Sequence, residues 1–180
     1  MSDFFPDKFK LKVMFMDDPI LSEDIVEVSV DMNIFLPAMF MIVIQDTPDP
    51  ILGIMKYSDL DPRFQIGTPV TVGFETTDKN TGVVPISNTL VEGEITSIEP
   101  LFEDGRAQLR IRGYDRTHRL MRSKKTRAFQ KMDESMIFSK IASETGMTPV
   151  PAGLPTFLND YIMQYNQSNW DFLTERGRLY

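Results

Sequence analysis

The 180-residue chain carries 26 acids against 19 bases and a single histidine, a net charge of −7. It has no cysteine, which excludes disulfides and thiolate metal sites, and no apolar run near the roughly 20 residues of a membrane helix. The opening Met-Ser-Asp-Phe-Phe-Pro-Asp-Lys lacks the basic region and apolar core of a secretory signal, so synthesis in the cytoplasm is the expectation.

The first hundred-odd residues read as strands. "KFKLKVMFMD" alternates through Phe9, Leu11, Val13 and Phe15, the period-2 sign of a half-buried strand. "DIVEVSVDMNIF" repeats the pattern with Val26, Val28, Val30, Met32 and Ile34 on one face. "AMFMIVIQD" is a continuous apolar run, short and rich in β-branched residues, and predicts a strand buried on both faces. "TPDP" ends it, because proline cannot donate into a ladder. "QIGTPVTVGFETTD" follows with Val70, Val72 and Phe74 alternating, and "DKNTG" has turn chemistry. "TLVEGEITSIEPLF" and "RAQLRIRGY" flank "EDG", a three-residue hairpin connection ending in glycine. On the last strand Ala107, Leu109 and Ile111 face one way and Arg106, Gln108, Arg110 and Arg112 the other. Strands with one apolar face each must stack or close on themselves, so the expected fold is mainly β: an antiparallel β-barrel over 1–113.

Beyond Gly113 the pattern changes, giving a small α+β domain over 114–180. Asp115 can cap a short turn through "RTHRLM". "DESMIFSKIASETGM" is a helix capped by Asp133, with Ile137, Ile141 and Ala142 on one face with Met136 or Phe138, and Gly146 as its stop. "DYIMQYNQ" reads as a strand. "SNWDFLTERGRLY" opens with Ser168 and Asp171 three apart, a capping box, and carries Trp170 and Leu173 on one face.

Charge is divided along the chain. Residues 1–104 hold 19 acids and 6 bases, whereas residues 105–180 hold 7 acids and 13 bases. The cations gather in Arg106, Arg110, Arg112, Arg116, Arg119, Arg122, Lys124, Lys125 and Arg127. Three readings of this surface differ in kind. As a nucleic-acid module it would bind phosphates, with Tyr114 and Phe129 stacking on bases. As a catalytic nest it would use His118, yet the flanking Arg116 and Arg119 disfavour protonation and Thr117 is the nearest hydroxyl. Phosphate loops, dinucleotide fingerprints and helical metal motifs are lacking, and paired acids such as Asp17–Asp18 and Asp59/Asp61 fit turns. No enzyme activity, metal or cofactor is expected. The third reading, a surface that docks on protein, suits the acidic overall charge best, and no nucleic acid is expected as partner.

The ordered set of motifs from residue 91 onward carries a family resemblance. "EGEITSIEPLFEDGRAQLRIRGYDRTHRLMRSKKTRAFQKMDESMIFSKIASETGM" resembles the signature of Vgr-type spike proteins and phage late-control D (baseplate hub) proteins. In that family a strand ending in Arg-Gly-Tyr-Asp-Arg leads to a His-Arg-Leu turn, then a basic stretch and a helix. "YIMQYNQSNWDFLTERGRLY" is similar to the next hallmark, a Gln-Tyr strand before a Trp/Phe-Asp-Phe helix. "FQIGTPVTVGF" fits a family strand pair more loosely. The wording lies nearest the hub-spike proteins of extracellular contractile injection systems. The resemblance implies a β-barrel hub domain and an incomplete α+β domain, in a homotrimer that caps an inner tube and carries a spike. Its implied partners are the inner tube protein and other baseplate or spike-tip proteins in a phage-tail-like particle. It also implies a longer gene product, with a second barrel and a spike beyond these 180 residues.

Overall fold

In the computed structural model, residues 8–20, 22–48, 51–57, 61–77, 86–103, 105–150 and 153–180 are described. The chain divides into two compact units, Met1–Asp115 and Arg116–Tyr180.

The first unit is one antiparallel sheet of seven strands. They are β1 (Lys8–Phe15), β2 (Asp18–Pro19), β3 (Ile25–Asn33), β4 (Leu36–Gln45), β5 (Pro69–Thr77), β6 (Ile86–Glu103) and β7 (Arg106–Asp115), in the order β2-β1-β5-β6-β7-β4-β3. That order forces curvature. A flat sheet would separate β2 from β3 by six spacings of about 4.8 Å, about 29 Å. Only six residue steps join Pro19 to Ile25, a reach of about 20 Å at full extension, and they include a 3-10 turn at Ser22–Asp24. The sheet therefore rolls, and its concave side carries a single core of Val13, Phe15, Phe40, Ile42, Ile44, Val70, Val72, Val91, Ile95, Leu109 and Ile111. Among the described residues β2 and β3 exchange no ladder bonds, so the roll closes through side chains.

The segment between β4 and β5 supplies part of that closure. Tyr57 is buried and meets Phe64 edge-on at 5.5 Å, and Phe64 in turn meets Phe15 of β1 at 5.0 Å. The Tyr57 hydroxyl and Lys56 Nζ (2.8 Å) both donate to Asp24, just before β3. Arg63 binds Asp61 and, at 2.7 Å, Asp18 of β2. Burial pushes the Asp24 carboxyl up, but the bonds from Lys56 and Tyr57 outweigh it and hold the group below its ordinary value. Lys56 is raised to about 12, chiefly by its bond to Asp24.

Two sequence expectations change in this unit. The β3 stripe is not Val26–Ile34, because the register slips between Ile25 and Glu27 and again between Asp31 and Asn33. A bulge adds one residue and reverses which face its neighbours take. Ile25, Val28 and Val30 thus pack inward, while Val26 and Met32 point to solvent. The β6–β7 connection is two residues rather than three, since Glu103 pairs with Arg106 and Gly105 sits at φ 71°. The Asp115 carboxylate accepts from the Ala38 amide at 2.9 Å, which ties β7 to β4. The expected "DKNTG" turn lies outside the described residues. The expected burial of β4 on both faces is met in part: Phe40, Ile42 and Ile44 enter the core, and on the other side Val43 is only 4% exposed while Met39 and Met41 are half-buried.

The second unit packs two helices against a two-stranded sheet. A 3-10 turn at Arg116–Met121 leads to β8 (Lys124–Met132), α1 (Glu134–Glu144), β9 (Asn159–Ser168) and α2 (Asn169–Gly177). The caps follow the local sequence. Asp133 accepts from the Met136 amide at 2.7 Å, and Gly146, just past the Thr145 cap of α1, takes φ 73°. Ser168 accepts from the Asp171 amide at 3.0 Å and donates to the Asp171 carboxylate at 2.6 Å. Two strands alone are marginal in water; here Leu120, Phe129, Ile137, Ile141, Ile162 and Phe172 form a core beneath them. Of the two alternatives beside Ile137 and Ile141, Phe138 is half-buried and Met136 exposed.

Candidate interaction site

The nine basic positions fall in both units, Arg106, Arg110 and Arg112 on β7 and the other six beyond residue 115. On β7 two of the outward arginines, Arg110 and Arg112, converge on one acid across the ladder. Glu99 of β6 pairs with Arg110 in register, receives Arg112 Nη1 at 2.6 Å and lies 3.7 Å from Arg110 Nη1.

In the second unit Arg127 is the hub of a polar network. It donates to Glu144 Oε2 at 2.5 Å, to Gln164 Oε1 at 2.8 Å and to Asn169 Oδ1 at 3.0 Å, joining β8 to α1, β9 and α2. Gln164 is fully buried, and Arg127 supplies the donor that its Oε1 needs there. Lys125 adds a 3.3 Å contact to the same Glu144. Burial pushes Glu144 up, but Arg127 and Lys125 outweigh it and hold its carboxyl below the usual value. Arg119 donates to the Thr145 carbonyl at 3.3 Å at the end of α1, and Arg122 donates to His118 Nε2 at 2.9 Å. Arg106, Arg116 and Lys124 are exposed and make no side-chain bond among the described residues.

This sorting bears on the nucleic-acid reading. Phe129 is 2% exposed and stacks on Phe172 at 5.5 Å, with Arg127 4.9 Å over its ring. It cannot offer a face to a base. His118 sits against Arg122, whose guanidinium donates to its Nε2.

The motif residues themselves do structural work. Gly113, in the Arg-Gly-Tyr-Asp run, pairs with Phe40 across the β4–β7 ladder. A β-carbon there would overlap the Glu94 carbonyl and the Phe40 ring, 2.7 Å from Cε1. Gly93 on β6 lies against the same ring, where a β-carbon would stand 2.9 Å from Phe40 Cε1. One aromatic ring thus covers two glycines on neighbouring strands. In the second unit, Glu134 is 1% exposed along its side chain and is held by Arg176, with Asn159 donating at 3.4 Å.

Two apolar features were not legible in the sequence reading. Asn33 pairs with Leu36, so Ile34 and Phe35 form the tip of the β3–β4 hairpin, and Asn33 Oδ1 accepts from the Phe35 amide at 2.8 Å. Ile34 is 86% exposed, and Met32, Phe35 and Leu36 are more than half exposed. A turn of this kind normally takes Asn, Asp or Gly. In the second unit, a groove of about 470 Å³ runs along Leu120, Phe138, Met147, Leu154, Trp170 and Leu173.

Comparison with known proteins finds likeness in structure alone. No family model and no curated protein matches the sequence. A 43 kDa tail protein of prophage MuSo2 from Shewanella oneidensis superposes on 96% of the chain with a TM-score of 0.65 and 11% identity. A tail protein from Neisseria meningitidis matches 92% at 0.62 and 16% identity. An Escherichia coli component of the type VI secretion system, described as structurally similar to T4 bacteriophage tail proteins, matches 93% at 0.57 and 14% identity. The chain shares their fold. It spans 48%, 44% and 41% of those three proteins respectively.

Proposed function

We propose that this chain is a structural, non-enzymatic component of a contractile phage-tail-like injection system, the hub or spike base of its baseplate. In this reading three copies form a ring that caps the inner tube and carries the spike. The protein is made in the cytoplasm and assembled into the particle. The observation that carries the reading is the fold, shared over more than nine-tenths of the chain with phage tail and type VI secretion proteins of unrelated sequence. The Arg-Gly-Tyr-Asp-Arg and Gln-Tyr…Trp-Asp-Phe motifs support it independently, since they resemble the Vgr and late-control D signature.

The docking role of the basic surface narrows to particular side chains. Arg106, Arg116 and Lys124 are exposed cations with no internal acid among the described residues, and they are the ones proposed to meet an acidic partner surface. Arg127 holds the second unit together instead. Exposed pairs of this kind contribute about 0–1 kcal/mol each and chiefly set register and encounter rate. Electron microscopy of the purified full-length gene product tests the class. A three-fold ring with a central needle is the expected image, and a monomer at all concentrations would overturn the reading.

A further inference from the structure

The two strands of the second unit differ in how they guard their outer edges. Among the described residues β8 and β9 pair only with each other, and no further backbone–backbone bond involves residues 161–165. Such an edge is a template for another strand. β8 carries Lys124, Lys125, Arg127 and Lys131 and no acid, and Lys131 takes φ 50°. Clustered cations and a kinked backbone are the usual means of keeping edges apart. β9 has neither lysine nor proline, and Asp160 is its one charge. We infer that the open edge of β9 pairs antiparallel with β9 of a second copy, about a two-fold axis at Met163.

The side chains fit that register. Tyr161, Met163 and Tyr165 point to the outer face, opposite the buried Ile162 and Gln164. Both tyrosines are more than half exposed and Met163 nearly so. Their order reads the same in both directions about Met163. An antiparallel copy therefore sets Tyr161 against the partner's Tyr165, and Met163 against the partner's Met163. Aromatic cross-strand pairs of this kind stabilise a ladder. Asp160 comes opposite the uncharged Asn166, so no like charges meet. The rest of this face, Thr126, Ala128 and Gln130 of β8, is exposed and uncharged. Asn166, at φ 48° where the β8–β9 register slips, ends the window.

The edges also select the occupant. Pairing β8 with β8 would oppose its cations. Pairing β9 with β8 of the next copy would leave an open β9 at one end, which adds copies without limit unless the assembly closes. β9 on β9 uses the unguarded edge once and leaves a lysine-bearing strand at each end of a four-stranded sheet. Two strands alone are marginal, and four are not. The contact is separate from the three-fold ring proposed above and can join two copies or two rings.

The full gene product is followed by mass photometry and sedimentation from dilute to concentrated solution. Wild type should reach twice the mass of Met163→Lys, which sets like charges face to face at the axis. Met163→Glu alone should stay unpaired for the same reason. An equal mixture of the two variants should recover the pairing, because the axis then holds lysine against glutamate. Misfolding is not rescued by mixing, and far-UV circular dichroism should be unchanged in both. Tyr161→Ser with Tyr165→Ser should weaken pairing about tenfold, since it removes both aromatic cross-strand pairs. Equal mass for wild type and Met163→Lys, or no recovery in the mixture, would overturn the pairing. So would slow hydrogen exchange of every amide from 161 to 165 in the unpaired Met163→Lys chain, which would show the edge covered within its own chain. A three-fold ring that never doubles would overturn the pairing and leave the ring standing. Doubled mass without a three-fold ring would do the reverse.

Discussion

Gly113→Ala should unfold the first unit at markedly milder conditions while sparing the second. The added methyl has nowhere to go. It would lie 2.7 Å from Phe40 Cε1 and overlap both the Phe40 ring tip and the Glu94 carbonyl. The ring belongs to a fully buried side chain, and the carbonyl belongs to the neighbouring strand β6. Neither can retreat without parting the β6–β7 ladder or opening the core. Overpacking by one carbon in a closed core costs about 1–3 kcal/mol, and a backbone obstacle places this site at the top of that range, about 3 kcal/mol. At about 3–6 °C per kcal/mol for a unit of this size, the transition should fall by about 10 °C or more. Calorimetry and far-UV circular dichroism would follow the first unit, while Trp170 emission reports only the second. Gly177→Ala is the matched control, because nothing lies within 4 Å of its β-carbon position at the end of α2. There the substitution should be neutral or stabilising by about 0.5–1 kcal/mol through helix propensity. A Gly113→Ala protein within about 0.5 kcal/mol of wild type would refute the packing argument.

Three further outcomes follow from the side-chain networks. Arg176→Ala strands the buried Glu134 carboxylate and should cost about 3–5 kcal/mol in Trp170-monitored urea unfolding, whereas replacing both partners with leucine should recover most of that loss. Glu144 has a depressed carboxyl, so its contribution is complete above its unfolded value near 4.5 and is lost as pH falls through the lower folded value. Glu144→Gln should therefore flatten the acid limb of the second unit's stability profile below about pH 4.5, and an unchanged limb would count against the Arg127–Lys125–Glu144 cluster. Tyr57 is pushed above the ordinary tyrosine range by burial first and by its bond to Asp24 second. Absorbance titration should show one late-ionising tyrosine, moved only part of the way back in Asp24→Asn.

Local chemistry was legible from sequence wherever the deciding atoms are close in the chain. The Asp133 and Ser168 caps and the Gly146 stop each depend on three or four neighbouring residues, and they fold as their sequence reads. The alternation of Leu109, Ile111 and the β7 arginines likewise follows from the pleat alone. The stripe of β3 does not, because a bulge is a negotiation with the partner strand: β4 decides that Ile25 rather than Val26 faces the core. The basic stretch reads in sequence as one surface, but Glu99, Glu144, Gln164 and Asn169 lie many residues from the cations they engage. Only the folded ladder and helices bring Arg112 to Glu99 and turn Arg127 inward. Composition and periodicity thus determined that this chain is mainly antiparallel β, followed by a small capped α+β unit. Which cations remain on the surface, why Gly113 must be glycine, and where the apolar tip and groove lie were decided by tertiary structure, because each depends on atoms that meet only across strands and helices.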